Sequence, residues 1–209
     1  CEIHDSARMT LPEVLGVMER AEAENKTIVR LHTGDPSLYG AIREQMDRLE
    51  KMGITYDVCP GVSSFNGAAA SLGAELTLPE VSQTVIITRM AGRTAVPEGE
   101  SFRSLAAHHS TMAVFLSAGL LEEMEEELKE AGYRPDTPAA IVYKATWPEE
   151  KAVRCTVSTL KETAEREGIR KTAMILIGDV LGTREENGYA DSRLYAPDFT
   201  TGFRKGTDA

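Results

Sequence analysis

An apolar run over residues 27–32, Thr-Ile-Val-Arg-Leu-His, stops at Thr33-Gly34-Asp35-Pro36 and gives way to a helix-like segment over 41–51. A strand that ends in a Gly-Asp-Pro turn and hands over to a helix is the building unit of an α/β sheet. It carries backbone amides and one carboxylate to the end of that sheet, where open α/β sheets bind small molecules. A second unit follows at once. Cys59-Pro60-Gly61-Val62-Ser63-Ser64-Phe65 lies between an apolar stretch and an alanine-rich helix. Two adjacent small-residue turns predict one ligand cradle.

The rest of the pattern predicts two α/β lobes with mainly parallel sheets and a ligand at or near the cleft between them. The first lobe is expected over 1–79. It opens with a helix over 11–24, started by the capping box Thr10-Leu11-Pro12-Glu13, and continues with strands over 27–32 and 54–58 and helices over 41–52 and 62–72. Residues 76–83 have no clear period and read as a linker. The second lobe is expected over 80–182, with strands over 84–88, 112–116, 139–144 and 173–178. Residues 151–157 alternate like an antiparallel strand. Helices are expected over 101–108, 120–131 and 159–168, the last opened by a box from Thr159 to Glu162. Residues 183–209 form a polar tail, expected to be loosely ordered.

Composition narrows the function classes. Thirty-three acidic against 23 basic residues give a net charge of −10, which argues against nucleic acid as a partner because phosphate binding needs a basic face. No apolar run approaches the roughly 18 residues of a membrane span. Cys1, Cys59 and Cys155 lie far apart without a Cys-x-x-Cys pair, so no zinc knuckle or disulfide framework is indicated, and a reducing cytoplasm is the simplest compartment. The four histidines lack metal-ligand spacing, and no Gly-x-Ser-x-Gly elbow is present. Neither metal nor serine-nucleophile chemistry is expected.

The candidate site residues each have two readings. Gly34 lets a ligand approach the backbone, and Asp35 either accepts from a ribose hydroxyl or an amine, or caps the following helix. Ser63 and Ser64 open a helix whose free amides favour an anion, or simply cap it. Leu116, Tyr143 with Lys144-Ala145-Thr146, and Lys171-Thr172-Ala173 stand at strand ends in the second lobe. Arg89 and Arg93 lie in a glycine-containing loop, where they either clamp substrate carboxylates or remain solvated. No G-x-G-x-x-G or Walker sequence occurs, which disfavours dinucleotide and P-loop readings.

Taken together, these stretches resemble the tetrapyrrole (class III) S-adenosylmethionine-dependent methyltransferases of corrin and sirohaem synthesis, and within them the branch acting on precorrin-4 or cobalt-precorrin-4. The resemblance is carried by His4-Asp5-Ser6, residues 33–40, 60–65 and 76–84, and Thr88-Arg89 with Gly92-Arg93-Thr94. Phe115-Leu116-Ser117, residues 143–148 and Thr172-Ala173 complete it. It implies two α/β lobes, with S-adenosylmethionine folded in the cleft, S-adenosylhomocysteine as product, and a tetrapyrrole beside it. It implies Gly34, Asp35, Leu38, Ser63, Ser64, Leu116, Ala145, Thr172 and Ala173 as cofactor contacts. Arg89, Arg93 and Tyr143 are expected to face the substrate, and no catalytic residue is named. A homodimer is also implied. So are an N-terminal strand and a glycine-proline loop that residues 1–209 do not contain. A uroporphyrinogen-III methyltransferase, a diphthine synthase or a non-catalytic cofactor-binding fragment are the alternative expectations. Thr33 and Pro36-Ser37 depart from the uroporphyrinogen pattern.

Overall fold

The computed structural model describes residues 1–207. The chain separates into two compact units, Cys1–Ser64 and Phe65–Ala209. This division falls earlier than the lobe boundary expected at 79. The cause is apolar packing: Ala68, Ala69 and Leu76 belong to the core of the second unit.

The first unit has two helices ahead of the boundary, α1 (Leu11–Ala23) and α2 (Arg43–Met52). The box at the start of α1 forms, with the Glu13 carboxylate accepting from the Thr10 amide at 2.6 Å and from its hydroxyl at 2.7 Å. Gly53 ends α2 at φ 72°, the left-handed stop that glycine takes without a Cβ penalty. The core is small: Leu15, Met18 and Leu49, with Leu11, Val14, Ile28, Ile54 and Tyr56 packed against them.

The strands expected over 27–32 and 54–58 do not form. Neither segment enters a ladder. Among the described residues, no backbone hydrogen bond joins one segment to the other. Both instead line a groove of about 750 Å³, with Met18, Met46 and Leu49 on its wall. Apolar residues suited to a strand are present, but a strand also needs a neighbour for its amides and carbonyls.

The second unit holds a five-stranded sheet in the order β1-β2-β5-β3-β4. The strands are β1 (Val85–Arg89), β2 (Thr111–Phe115), β3 (Pro138–Tyr143), β4 (Lys151–Thr156) and β5 (Ala173–Ile177). Helix α3 (Ser64–Leu72) precedes them, and α4 (Phe102–Ala106), α5 (Leu121–Glu130) and α6 (Leu160–Glu167) intervene. Each predicted strand here lies within one residue or so of the observed one.

The sheet is not mainly parallel, which corrects the sequence expectation. Only β1 and β2 pair in parallel. The pairings β2–β5, β3–β5 and β3–β4 are antiparallel. A hairpin sends the chain back down β4, and α6 then returns it, so β5 runs with β4 and against β3. A run of apolar residues reveals a buried strand but not its direction.

Strand alternation divides the core into two layers. Met112, Val114, Ile141, Ile175 and Ile177 face Phe102, Met124, Leu128 and Leu160 on one side. Ala113, Phe115, Ala140, Val142, Met174 and Leu176 face Ala68, Ala69, Val180 and Leu181 on the other. A sheet covered on both faces leaves its strand ends and connecting loops as its exposed parts. A smaller correction concerns α6. The expected Thr159–Glu162 box is replaced by one in which the Thr159 hydroxyl accepts from the Thr156 amide at 3.0 Å.

Candidate functional site

In the first unit, two turns are locked together. The Asp35 carboxylate accepts the Ser37 amide at 2.8 Å and the Ser37 hydroxyl through one oxygen. Its other oxygen accepts the Gly61 amide at 2.9 Å. These donors, the Ser37 hydroxyl foremost, hold the carboxyl below its ordinary pKa. Asp35 thus acts as the bridge between the two turns rather than as a cap on α2, whose N-cap residue is Ile42.

The glycines make the bridge possible. Gly34 sits at φ 70°, with the backbone of Val62, Ser63 and Ser64 about 3.5 Å from where a Cβ would be. A Cβ on Gly61 would stand 2.1 Å from the Gly34 carbonyl oxygen, closer than any side chain can come. The two turns expected to form one cradle do adjoin. Leu38 donates its amide to the Asp35 carbonyl at 3.3 Å and is half-buried. Ser63 is buried, and Ser64 is exposed at the start of α3.

In the second unit, the remaining candidates collect at one end of the sheet. Pairing of Arg89 with Phe115 and of Tyr143 with Ala173 puts the ends of β1, β2 and β3 and the start of β5 together. Leu116, Ala145, Thr172 and Ala173 all follow or flank those positions. The backbone there is unusual. Leu116 (φ 53°), Lys144 (φ 47°), Thr146 (φ 70°) and Thr172 (φ 56°) are non-glycine residues in the left-handed region. Each such residue costs roughly 1–3 kcal/mol, and such strain concentrates at functional sites because the surroundings must enforce it. The enforcing contacts are visible. Lys144 donates its amide to the Thr172 carbonyl at 3.0 Å. The buried Ser117 hydroxyl donates to the Phe115 carbonyl at 2.7 Å and accepts the Met90 amide at 2.9 Å. Ser117 therefore ties the loop after β1 to the loop after β2. Its only sequence signal is a small polar residue placed directly behind a buried strand.

The strained backbone presents Leu116 to solvent with three-quarters of its side chain exposed. Ala145 and Ala173 are half-buried beside it and carry little bulk. Small half-buried side chains beside an exposed aliphatic one suit a ligand with an apolar part.

The two arginines differ. Arg89 donates to the carbonyls of Met90 at 3.2 Å, Thr94 at 3.1 Å and Ala95 at 2.6 Å. It is the fastener of its own loop. Arg93 rides exposed on that loop. Tyr143 is half-buried at the end of β3, with the Lys144 ammonium 5.4 Å from its ring centroid.

Residues 3–161 match the family described as Tetrapyrrole (Corrin/Porphyrin) Methylases. The chain belongs to this family. It is 53% identical over 204 residues to the cobalt-precorrin-4 C(11)-methyltransferase of Methanocaldococcus jannaschii, covering 98% of this chain and 78% of that relative. The corresponding Priestia megaterium protein is 49% identical over 98% of this chain and 80% of its own length. Among solved structures, a cobalt precorrin-4 methyltransferase, CbiF, superposes with a TM-score of 0.85 at 49% identity, over 87% of this chain and 76% of that one. The Thermus thermophilus uroporphyrin-III C-methyltransferase complexed with S-adenosyl homocysteine gives a TM-score of 0.63 at 26% identity, over 81% of this chain and 74% of that one. The methyltransferase class expected from the motifs is therefore correct.

Proposed function

We propose that this protein transfers a methyl group from S-adenosylmethionine to ring carbon 11 of cobalt-precorrin-4 or precorrin-4, in cobalamin biosynthesis. The observation that carries this reading is the 53% identity to a cobalt-precorrin-4 C(11)-methyltransferase across nearly the whole chain. The strained sheet end of the second unit supports it, because its small residues and exposed Leu116 fit a ligand with a flat adenine face and a polar amino-acid tail.

S-adenosylmethionine supplies, when bound, an electrophilic methyl group on a positively charged sulfur. The chain has then to bind and align. In the second unit, Leu116, Ala145, Thr172 and Ala173 are the proposed cofactor contacts. In the first, they are Gly34, Leu38, Ser63 and Ser64. Asp35 keeps both carboxylate oxygens on the chain's own donors, so its part is to hold the turns that carry the others. Arg93 is free to meet a carboxylate of the substrate, whereas Arg89 shapes the loop that carries it. Alignment of two bound reactants can contribute ~7–11 kcal/mol without any strong base.

The test is incubation of the purified chain with S-adenosylmethionine and either metal-free or cobalt-loaded precorrin-4. Mass spectrometry of the tetrapyrrole, with a carbon-13-labelled methyl donor and NMR assignment, is expected to place one new methyl group on carbon 11. An unmodified tetrapyrrole with both substrates would refute the activity of this chain. A second reading, cofactor binding without turnover, is favoured by the unladdered segments 27–32 and 54–58 of the first unit. Calorimetric binding of S-adenosylhomocysteine without product in the first assay would select it. We further propose a cytoplasmic homodimer, for which sedimentation equilibrium is the direct test of assembly.

A further inference from the structure

The hairpin between β3 and β4 carries the protein's single tryptophan, Trp147, at the same sheet end as Leu116 and Thr172. Four contacts hold the hairpin tip. The Lys144 amide reaches the Thr172 carbonyl, the Trp147 amide the Lys144 carbonyl, and the Glu150 amide the Trp147 carbonyl, each at 3.0 Å. The Glu150 carboxylate accepts the Thr146 amide. Two non-glycine residues of the tip, Lys144 and Thr146, are kept left-handed by this frame. The tip is thus rigidly built, yet the indole it presents is 52% exposed. The Lys144 ammonium lies over the ring, 5.0 Å from its centroid, and pairs with Glu149 at 3.4 Å. Among the described residues, Trp147 belongs to none of the three buried apolar clusters.

A tetrapyrrole is a broad conjugated ring with carboxylates at its rim. It needs flat apolar surface for its face and cations for its edge. A protein of net charge −10 must supply those cations locally. We propose that Trp147 is a stacking contact for the tetrapyrrole ring, with Lys144 holding the indole by cation–π contact and exchanging its Glu149 partner for a rim carboxylate. This rests on the methyltransferase reading above. It goes beyond it by assigning the planar-face contact to the hairpin tip. Adenine is the competing flat group, but it bears no carboxylate for Lys144 to meet.

Uroporphyrin III, a stable tetrapyrrole polycarboxylate, and S-adenosylhomocysteine serve as separate probes of the 209-residue protein. Affinity for the first is read from absorbance titration and for the second from calorimetry, in the wild type, Trp147→Ala and Trp147→Phe. Trp147→Ala is expected to weaken uroporphyrin binding about tenfold, equivalent to ~1.4 kcal/mol. S-adenosylhomocysteine affinity should stay within about twofold, and Trp147→Phe should restore most of the loss because it keeps an aromatic face. Undiminished uroporphyrin binding by Trp147→Ala overturns the proposal alone. Loss of S-adenosylhomocysteine binding instead assigns the indole to adenine and also overturns it. No uroporphyrin binding by the wild type overturns the tetrapyrrole reading, and this proposal with it. Should Trp147→Ala fail to fold, weak uroporphyrin binding by a folded Trp147→Leu supports the aromatic contact, and wild-type binding by it refutes it.

Discussion

The first unit is held at its turns and the second at its centre. In Phe65–Ala209, five strands share a ladder, and both faces of the sheet are packed with fully buried side chains such as Met112, Ile141, Ile175 and Leu176. In Cys1–Ser64, three buried side chains form the core, and among the described residues the two apolar segments enter no strand ladder. What defines that unit is a carboxylate spanning two turns and a glycine too close to a carbonyl to be replaced. The difference teaches that similar apolar runs do not confer similar local stability. Ladder pairing and two-sided burial do.

The largest effect is expected from the comparison of cores. Leu176→Ala removes a side chain that is fully buried between Ala68-side and strand neighbours, and should cost roughly 3–5 kcal/mol. Leu49→Ala acts in a core that borders an open groove, where surrounding side chains can move into the space. Its cost should fall below that range, at about 2 kcal/mol. Chemical denaturation of both variants, read by far-ultraviolet circular dichroism, makes the comparison. Equal losses would break it. Hydrogen exchange should agree, with amides of β2, β3 and β5 protected far longer than those of 27–32 and 54–58.

Next in size is Gly61→Ala. The added carbon would meet the Gly34 carbonyl at 2.1 Å, so one of the two turns must shift and release the Asp35 bridge. S-adenosylhomocysteine affinity should fall by about tenfold or more, ~1.4 kcal/mol in binding. The thermal transition of the second unit should remain in place, because its sheet does not depend on that turn. Calorimetry and a melting curve on the same sample give both readings. A variant that binds normally would remove the turns of the first unit from the site.

Arg89→Ala should have a smaller effect. It deletes three donors from the carbonyls of residues 90–95 but leaves β1 paired with β2. The strand stays and the loop loosens, at about 1 kcal/mol of stability. Faster proteolysis within 90–95, without a change at β1, is the expected readout. In turnover, KM for the tetrapyrrole should rise because Arg93 loses its platform. Were Arg89→Lys to restore the loop fully, the multiple contacts of the guanidinium would not be what shapes it.

These expectations also mark what could be read in the residues. Strands such as 112–116 and 173–178 were legible because apolar runs bounded by turn residues have few other outcomes. The closeness of the two small-residue turns was legible for a similar reason, since Gly34 and Gly61 serve little purpose except close approach. The absent ladder at 27–32 was not, because pairing depends on a neighbour elsewhere in the chain. The direction of β5 was hidden as well, since an apolar pentapeptide reads the same both ways. Arg89 looked like a substrate clamp because an arginine beside a glycine loop gives no hint that its own carbonyls will claim it. Thr159 stays the N-cap residue of α6, but its hydroxyl is taken by the Thr156 amide in the 3-10 turn over Val157–Thr159, so the expected box does not form.

The smallest effect tests the turn chemistry itself. The carboxyl of Asp35 is held below its ordinary value by the Ser37 hydroxyl first, and then by the amides of Gly61 and Ser37. A depressed folded-state pKa stabilises the fold above the unfolded value of about 3.9 and loses that contribution as pH falls through the folded value. The bridge should therefore be intact at neutral pH and begin to open only below about pH 4. Asp35 is only partly buried, so the effect on global unfolding should be slight and the effect on the turn direct. The amide resonances of Ser37 and Gly61 should shift together through one acidic transition, while those of β5 stay still. Asp35→Asn should abolish that shared transition, since its amide keeps an acceptor oxygen but no titrating group. Separate transitions for the two amides would mean that one carboxylate does not bind both turns, and the first unit would then lack the bridge that distinguishes it from the second.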